Sequence, residues 1–183
     1  MAERLVMPDG STFEIVGSPT DPARDPSEIV FTTHPGGPAP PPHVHPHQRE
    51  TFTLEDGDFE LLVGGSWRKL APGDSLVVEP GEVHTFRNKG TRTARVRTVH
   101  EPGLSFEDYI RDIHATATEH GTEKIGPAMA ARMAVIWRRH EDTIQPGPLP
   151  IRVGFAVLGR LAPLLGLRPA DRRSGPSASD CPN

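Results

Sequence analysis

Three histidines and a glutamate stand at spacings that could bring them to one metal ion. His43 and His45 are two residues apart, Glu50 follows five residues later, and His84 lies on a separate segment. Imidazole nitrogens and a carboxylate oxygen are ligands that divalent transition metals accept, and four of them leave positions of a six-coordinate ion open. The sequence therefore predicts a metal site made of His43, His45, Glu50 and His84.

The first three of these residues must be brought together by a strand followed by a turn. Residues two apart on an extended strand point to the same face, so His43 and His45 can share a ligand face. Glu50 has the opposite parity and can join them only if the chain turns between residues 46 and 49. His47 shares the parity of the pair and remains an alternative to Glu50, although its place in the turn favours the rim of the site.

The fourth ligand is expected on a later strand that begins at a turn. The segment Glu79-Pro80-Gly81-Glu82 has proline and glycine at the positions typical of a type II turn, and His84 follows it. By strand parity, the side chains that line a substrate pocket beside the ligands are Phe52, Leu54 and Phe86, with His34 and His47 as weaker candidates. Such an apolar lining would suit an aromatic or polyketide-like substrate.

The sequence pattern around these residues predicts short β-strands. Apolar and polar residues alternate in short runs separated by turn pairs such as Asp56-Gly57 and Pro72-Gly73. The predicted strands are residues 11–16, 28–34, 50–55, 58–63, 74–79, 83–88 and 94–100. Regular short strands without helices between them predict a mainly β fold, an antiparallel double-sheet sandwich or barrel.

A helical extension is predicted after residue 103. The first helix starts at Ser105, whose spacing to Asp108 resembles a capping box, and ends near Gly121; a second follows Gly126-Pro127. A third covers roughly residues 151–165 and is too short to cross a membrane, so we expect it to pack on the barrel or on a partner subunit.

These elements divide the chain into four segments. They are an N-terminal strand and loop at 1–26, the barrel with its metal site at 27–103, the helical extension at 104–168 and a disordered tail at 169–183.

Composition narrows the classes of protein that fit. The net charge of −4 over 183 residues gives no basic surface for nucleic acid. The one cysteine, Cys181, provides neither a disulfide framework nor a cysteine metal site. No apolar run resembling a signal peptide opens the sequence, so a cytoplasmic location is the default expectation.

The spacing of the ligands and glycines resembles two motifs of the cupin superfamily. Gly37-x5-His43-x-His45-x4-Glu50-x6-Gly57 resembles the first motif, and Gly73-x7-Gly81-x2-His84-x3-Asn88 resembles the second. The second departs at one position, where Glu79 stands in place of proline and Pro80 follows. The resemblance implies a small jelly-roll cupin barrel with one metal in its mouth, similar to single-domain quercetinase-like cupins, and pairing into homodimers.

The functional expectation that follows is a metal-dependent dioxygenase or other oxygenase acting on a small organic substrate. Fe(II) is the expected ion, and Mn, Ni, Co, Cu or Zn suit the same ligands. Glu50 would be both ligand and catalytic base. A redox-neutral isomerase, cyclase or lyase that uses the metal as a Lewis acid is one alternative, and a non-catalytic small-molecule-binding protein is another.

Overall fold

A computed structural model describes residues 2–121 and 126–170 of the chain. Its strands are β1 (Glu3–Val6), β2 (Thr12–Gly17), β3 (Ser27–Thr33), β4 (His43–Val44), β5 (Arg49–Asp56), β6 (Phe59–Val63), β7 (Ser66–Leu70), β8 (Ser75–Val78), β9 (Thr85–Arg87), β10 (Ala94–Glu101) and β11 (Gln145–Pro146). Its helices are α1 (Phe106–His120), α2 (Pro127–Arg139) and α3 (Leu149–Leu161), followed by a short 3-10 turn at Ala162–Leu165.

The strands form antiparallel sheets, as predicted. One sheet has six strands in the order β1-β2-β3-β10-β5-β8, and a second has three in the order β7-β6-β9. A two-stranded pairing joins β11 to β4. The mainly β class with C-terminal helices is thereby confirmed.

Side-chain alternation places one face of each long strand in the core. In β5 the buried residues are Glu50, Phe52 and Leu54, and in β10 alternate positions from Ala94 to His100 are buried. Because side chains point to opposite faces at successive positions, this pattern directs one set between the two sheets. The apolar core between the sheets includes Phe31, Phe52, Leu54, Phe59 and Leu61.

The helical extension packs against the six-stranded sheet. A second apolar cluster joins Ile15 and Ile29 of the sheet to Phe106 and Ile110 of α1 and Ile136 of α2. The capping role predicted for Ser105 is wrong, since its side chain makes no cap hydrogen bond and its hydroxyl instead donates to Asp142. The predicted end of α1 is confirmed, because Gly121 adopts the left-handed conformation that terminates a helix.

The third helix packs on α2 and leaves part of its surface exposed. Phe155 stacks on Trp137, with 5.1 Å between ring centroids, whereas Val157 and Leu161 are about half exposed. Within the described residues, no helix combines the length and apolar character needed to cross a bilayer.

Three short strands were not anticipated from the sequence, namely β1, β7 and β11, whereas β4 lies where a strand was predicted for His43 and His45. The tail predicted to be disordered, 169–183, lies outside the described residues except for Pro169 and Ala170. The backbone N–H of Ala170 donates to the hydroxyl of Thr116 at 3.2 Å, so this part of the chain contacts α1.

Candidate metal centre

The structure brings His43, His45, Glu50 and His84 together. All four are buried, and each offers a ligand atom such that these atoms lie within 4.8 Å of one another. The backbones of His43 and His84 exchange two hydrogen bonds of 3.0 Å, which fix the second motif against the first. These four residues could hold one metal ion.

Each of the three imidazoles is oriented by a backbone carbonyl. The Nδ1 atoms of His43, His45 and His84 lie 3.0, 2.5 and 3.0 Å from the carbonyl oxygens of Pro41, Thr143 and Glu82. A carbonyl oxygen can only accept, so Nδ1 carries the proton and the lone pair of a neutral ring is at Nε2. Metal-binding histidines are oriented in this way in proteins generally.

The Nε2 atoms point at the carboxylate of Glu50. Oε2 of Glu50 lies 2.9 Å from Nε2 of His84 and 3.2 Å from Nε2 of His45. Among the described residues, neither Glu50 Oε2 nor His84 Nε2 has a hydrogen bond of acceptable geometry. Lone pairs that face a carboxylate repel it unless a proton or a cation lies between them, so this donor set fits a metal cation.

Burial and mutual charge set the protonation of the cluster. Burial, together with the neighbouring His84 and His45, holds the pKa of His43 well below its ordinary value of 6.5. Burial alone would raise the pKa of Glu50, but the charge of His100 and the close contacts of the carboxylate with His100, His45 and His84 outweigh it and hold that pKa well below 4.5. Glu50 is therefore ionised at neutral pH, the form that binds a metal.

The pKa of His84 shifts in the opposite direction to the pKa of His43. Burial lowers the pKa of His84, but the close contact with Glu50 and the charge of that carboxylate outweigh this effect, so the pKa is raised above 6.5. A proton held there occupies the same point between His84 and Glu50 that a cation would take. Metal binding is therefore expected to release a proton.

A fifth buried residue, His100, lies against the cluster. Its Nε2 is 3.2 Å from Oε1 of Glu50, so the two carboxylate oxygens face different histidines. In the β10–β5 pairing, His100 is directly opposite Glu50, and its ring stacks on Phe106 with 3.5 Å between centroids. Burial lowers the pKa of His100, and Glu50 only partly offsets this.

Sequence reasoning placed His100 at the end of a strand as a weak candidate for the pocket and did not include it in the metal site. The parity of β10 showed which face it occupies, but only the pairing with β5 shows that this face is opposite Glu50.

A second group that sequence reasoning missed connects the cluster to the helical extension. Gln48, buried to 1% exposure, donates from Nε2 to the carbonyls of Pro102 and Gly103, each at 2.9 Å. Its Oε1 accepts from the hydroxyl of Thr143 at 2.6 Å. The carbonyl of Thr143 in turn orients His45, so Gln48 stabilises the position of a ligand from a distance.

An apolar cavity of about 180 Å³ borders three of the four candidate ligands, His43, His45 and Glu50. Of the predicted pocket residues, Phe52 and Phe86 line it. Leu54 is fully buried in the core between the sheets and is not among the lining residues.

The two weaker pocket candidates lie elsewhere. His34 is half-buried and its Nδ1 contacts the hydroxyl of Thr93 at 3.1 Å. His47 is exposed and is not in the cluster, so Glu50 rather than His47 joins the three histidines. The functional parts predicted for Phe52, Phe86, Leu54, His34 and His47 remain predictions.

Comparison with known families matches the middle of the chain. The cupin domain model matches residues 29–100, the segment that contains both motifs and all four candidate ligands.

Two curated proteins align with parts of the sequence. The "Probable oxidoreductase patJ" of Penicillium expansum is 42% identical over 48 residues, which is 26% of this chain and 15% of that protein. A protein of Aquifex aeolicus described as uncharacterized is 31% identical over 70 residues, 38% of this chain and 57% of its own length. The match thus covers less than two thirds of the length of either curated relative.

A solved structure from Klebsiella pneumoniae, described as a conserved protein with a double-stranded β-helix domain, is 31% identical with a TM-score of 0.43. The match covers 49% of this chain and 70% of that one.

Proposed function

We propose that this chain, which belongs to the cupin superfamily through its domain at residues 29–100, is a metal-dependent enzyme that oxygenates a small organic molecule. One observation carries the proposal. The Nε2 atoms of His45 and His84 face the ionised carboxylate of Glu50, and His43, His45 and Glu50 border an apolar cavity of about 180 Å³. Four ligands on a six-coordinate ion leave two positions for a substrate oxygen and a second small ligand.

In the proposed reaction the residues around the cavity would have different roles. His43, His45 and His84 would hold the ion, each fixed by its backbone carbonyl. A divalent metal, Fe(II) by preference, would supply a Lewis-acid centre and a route for electrons to dioxygen. Glu50 borders the cavity and would accept a proton from an enol or phenol substrate, while His100 on the other oxygen of its carboxylate holds it in place.

Similarity to an oxidoreductase supports the redox form of the proposal. A 48-residue stretch is 42% identical to a protein described as a probable oxidoreductase, but it covers 15% of that protein. The apolar lining agrees with oxygenation, because reactive oxygen species are best formed where water is excluded.

A redox-neutral isomerisation, cyclisation or elimination is the second candidate. It is favoured by the buried contact between Glu50 and His100, at 3.2 Å, which is suited to moving a proton without any redox step. Consumption of oxygen distinguishes the two reactions.

Metal analysis of protein purified without added metal tests the site first. We expect one redox-active ion per chain in the unsubstituted protein and none in His43→Ala. His47→Ala is the matched control, because its imidazole is exposed and should leave the metal content unchanged. Loss of metal in His47→Ala would contradict the assigned ligand set, and stoichiometric zinc would favour the redox-neutral candidate.

Turnover of phenolic and β-diketone compounds, followed with an oxygen electrode, tests the reaction. Glu50→Gln protein loaded with metal should lose turnover by roughly 100-fold or more if Glu50 is the base. Full activity of this variant with metal bound would remove the base role from Glu50. Metal bound stoichiometrically with no turnover of any compound would favour a binding protein over an enzyme.

A further inference from the structure

The cavity beside the metal ligands continues along one face of α1. Phe106, Tyr109, Ile110, Ile113 and Ala117 line it at spacings of three and four residues, the repeat of one helix face. Phe106 stacks on His100, so this face begins next to the ligand cluster. At about 1.5 Å of rise per residue, Ala117 lies roughly 16 Å further along the helix axis.

The other walls of the cavity are also apolar. Met129, Met133 and Trp137 of α2 line it, and Met7 and Phe13 contribute from the N-terminal hairpin. Methionine side chains adapt to irregular apolar shapes, so this wall can accommodate a hydrocarbon skeleton. These residues lie outside the two sequence motifs, and the helices therefore supply one wall of the cavity beyond the metal end.

Charge in the cavity excludes several kinds of ligand. Glu50 is the one carboxylate among the described lining residues, and these residues include neither lysine nor arginine. In the metal-free protein an anionic ligand would therefore be buried beside Glu50 without a lysine or arginine as counter-charge, which is costly in an apolar site.

Hydroxyl groups in the lining are largely engaged with the protein itself. The hydroxyl of Thr32 contacts the backbone N–H and the hydroxyl of Thr12, and that of Thr98 contacts the carbonyl of Ile29. The hydroxyl of Tyr109 accepts a hydrogen bond from Trp137 Nε1 at 3.2 Å. A polyol placed here would lose its hydrogen bonds to water without equivalent partners.

We infer that the ligand of this cavity is a neutral molecule with an elongated apolar skeleton, bound with one oxygen-bearing end at His43, His45 and Glu50 and with its skeleton along α1. Sugars are rejected, and in the metal-free protein so are sugar acids and fatty-acid-like anions. This inference rests on the proposed function, since it names the substrate class of the same site.

Fluorescence of Trp137 gives a direct test with metal-free, full-length protein. The chain has two tryptophans, and Trp67 is 39% exposed and does not line the cavity. In a Trp67→Phe background the emission therefore reports on the cavity alone. The probes are 1-decanol and decanoate, which share a skeleton and differ in charge, with glucose as a polyol.

We expect saturable binding of 1-decanol, at least tenfold weaker binding of decanoate and no response to glucose. Equal affinity for the alcohol and the carboxylate, or any saturable response to glucose, would overturn the inference. This comparison needs no variant of the cavity.

A pair of variants locates the bound probe. Ala117→Phe fills the cavity at the far end of α1 and should weaken 1-decanol binding at least tenfold. Ala115→Phe makes the same change on the same helix at a residue that does not line the cavity, and should bind 1-decanol normally. Equal effects of both variants would contradict the placement, and if Ala117→Phe unfolds, the probe comparison above decides alone.

Metal titration of the same preparations separates this inference from the proposed function. If the protein binds metal through His43 but gives no response to 1-decanol, the ligand class is wrong and the metal site stands. If 1-decanol binds and no metal does, the proposed enzyme is wrong while the apolar cavity stands.

Discussion

The three ligand imidazoles are held in two different ways. His43 and His84 each donate to the carbonyl two residues earlier in the chain, so their orientation follows from their own local segment. His45 donates to the carbonyl of Thr143, which lies 98 residues away. One of the three candidate ligands is thus oriented by a residue of the helical extension, so the extension contributes to the geometry of the candidate site.

The contact of His100 with Glu50 yields a prediction about metal affinity. His100→Ala removes the partner of Glu50 Oε1, so the carboxylate is less firmly held and the metal dissociation constant should rise roughly 10–100-fold. His100→Gln should recover part of the affinity, because its amide can donate to the same oxygen. Competition with a chromophoric chelator measures both values.

His34→Ala is the control for that comparison, since His34 is half-buried and contacts Thr93 rather than the ligand cluster. Unchanged affinity in His100→Ala would show that Glu50 does not depend on this neighbour.

At the scale of elements, turns decide where the ligand strands begin and end. Gly57 ends β5 with a φ of +92°, and a Cβ there would lie 2.1 Å from the carbonyl oxygen of Thr93. Gly65 has a similar φ of +74°, but a Cβ at this residue would meet open space, with no atom of a non-neighbouring residue within 4 Å. The motif glycine Gly57 is therefore required for a close approach of two segments as well as for backbone conformation.

This difference predicts unequal effects of one substitution at the two glycines. Gly65→Ala should lower the free energy of unfolding by about 1 kcal/mol, the cost of placing alanine at positive φ. Gly57→Ala adds a backbone clash and should cost roughly 3 kcal/mol or more, or prevent folding. Urea denaturation measures both, and equal costs would show that the approach to Thr93 relaxes freely.

Gln48 connects three loops and gives a second prediction at this scale. Gln48→Ala leaves the hydroxyl of Thr143 and the carbonyls of Pro102 and Gly103 without this partner, and should cost about 2–3 kcal/mol of unfolding free energy. Metal affinity should fall as well, because Thr143 orients His45. Gln145→Ala, which removes one exposed hydrogen bond to Glu141, should change stability by less than about 0.5 kcal/mol.

Thermal unfolding and a chelator titration test this pair. A Gln48→Ala protein with normal metal affinity would show that the position of Thr143 does not depend on the glutamine.

For the whole molecule, metal binding should be linked to folding. The four candidate ligands come from β4 and the residue after it, the start of β5 and the residue before β9, so an ion that binds them stabilises only the folded chain. At a free metal concentration 100 times the dissociation constant, the gain is about 2.7 kcal/mol. For a chain of this size, that corresponds to a rise in Tm of roughly 5–10 °C.

Calorimetry with and without a chelator measures this shift. His84→Ala should show no shift on adding metal, and His47→Ala should show the full shift. A metal-dependent rise in His84→Ala equal to that of the unsubstituted protein would contradict the assigned site. The homodimer implied by the cupin resemblance stays a prediction at this scale.

The sequence by itself predicted the cupin resemblance, the strand class and the four candidate ligands. Residues 29–100 match a cupin domain, and the ligands lie in two segments where strand parity and turn residues are local properties of the chain. Strand parity predicted correctly that Leu54 points inward, but it could not predict which interior space the side chain enters. Leu54 lies in the core between the sheets and does not line the cavity.

Only the tertiary structure decided what surrounds the ligands. The contact of His100 with Glu50 depends on which strands are neighbours, and the contact of Thr143 with His45 joins residues 98 apart. The apolar wall from α1 and α2 likewise forms by packing between segments distant in sequence. Such contacts depend on how all the strands and helices pack their apolar faces together. A local pattern of residues does not predict which elements become neighbours.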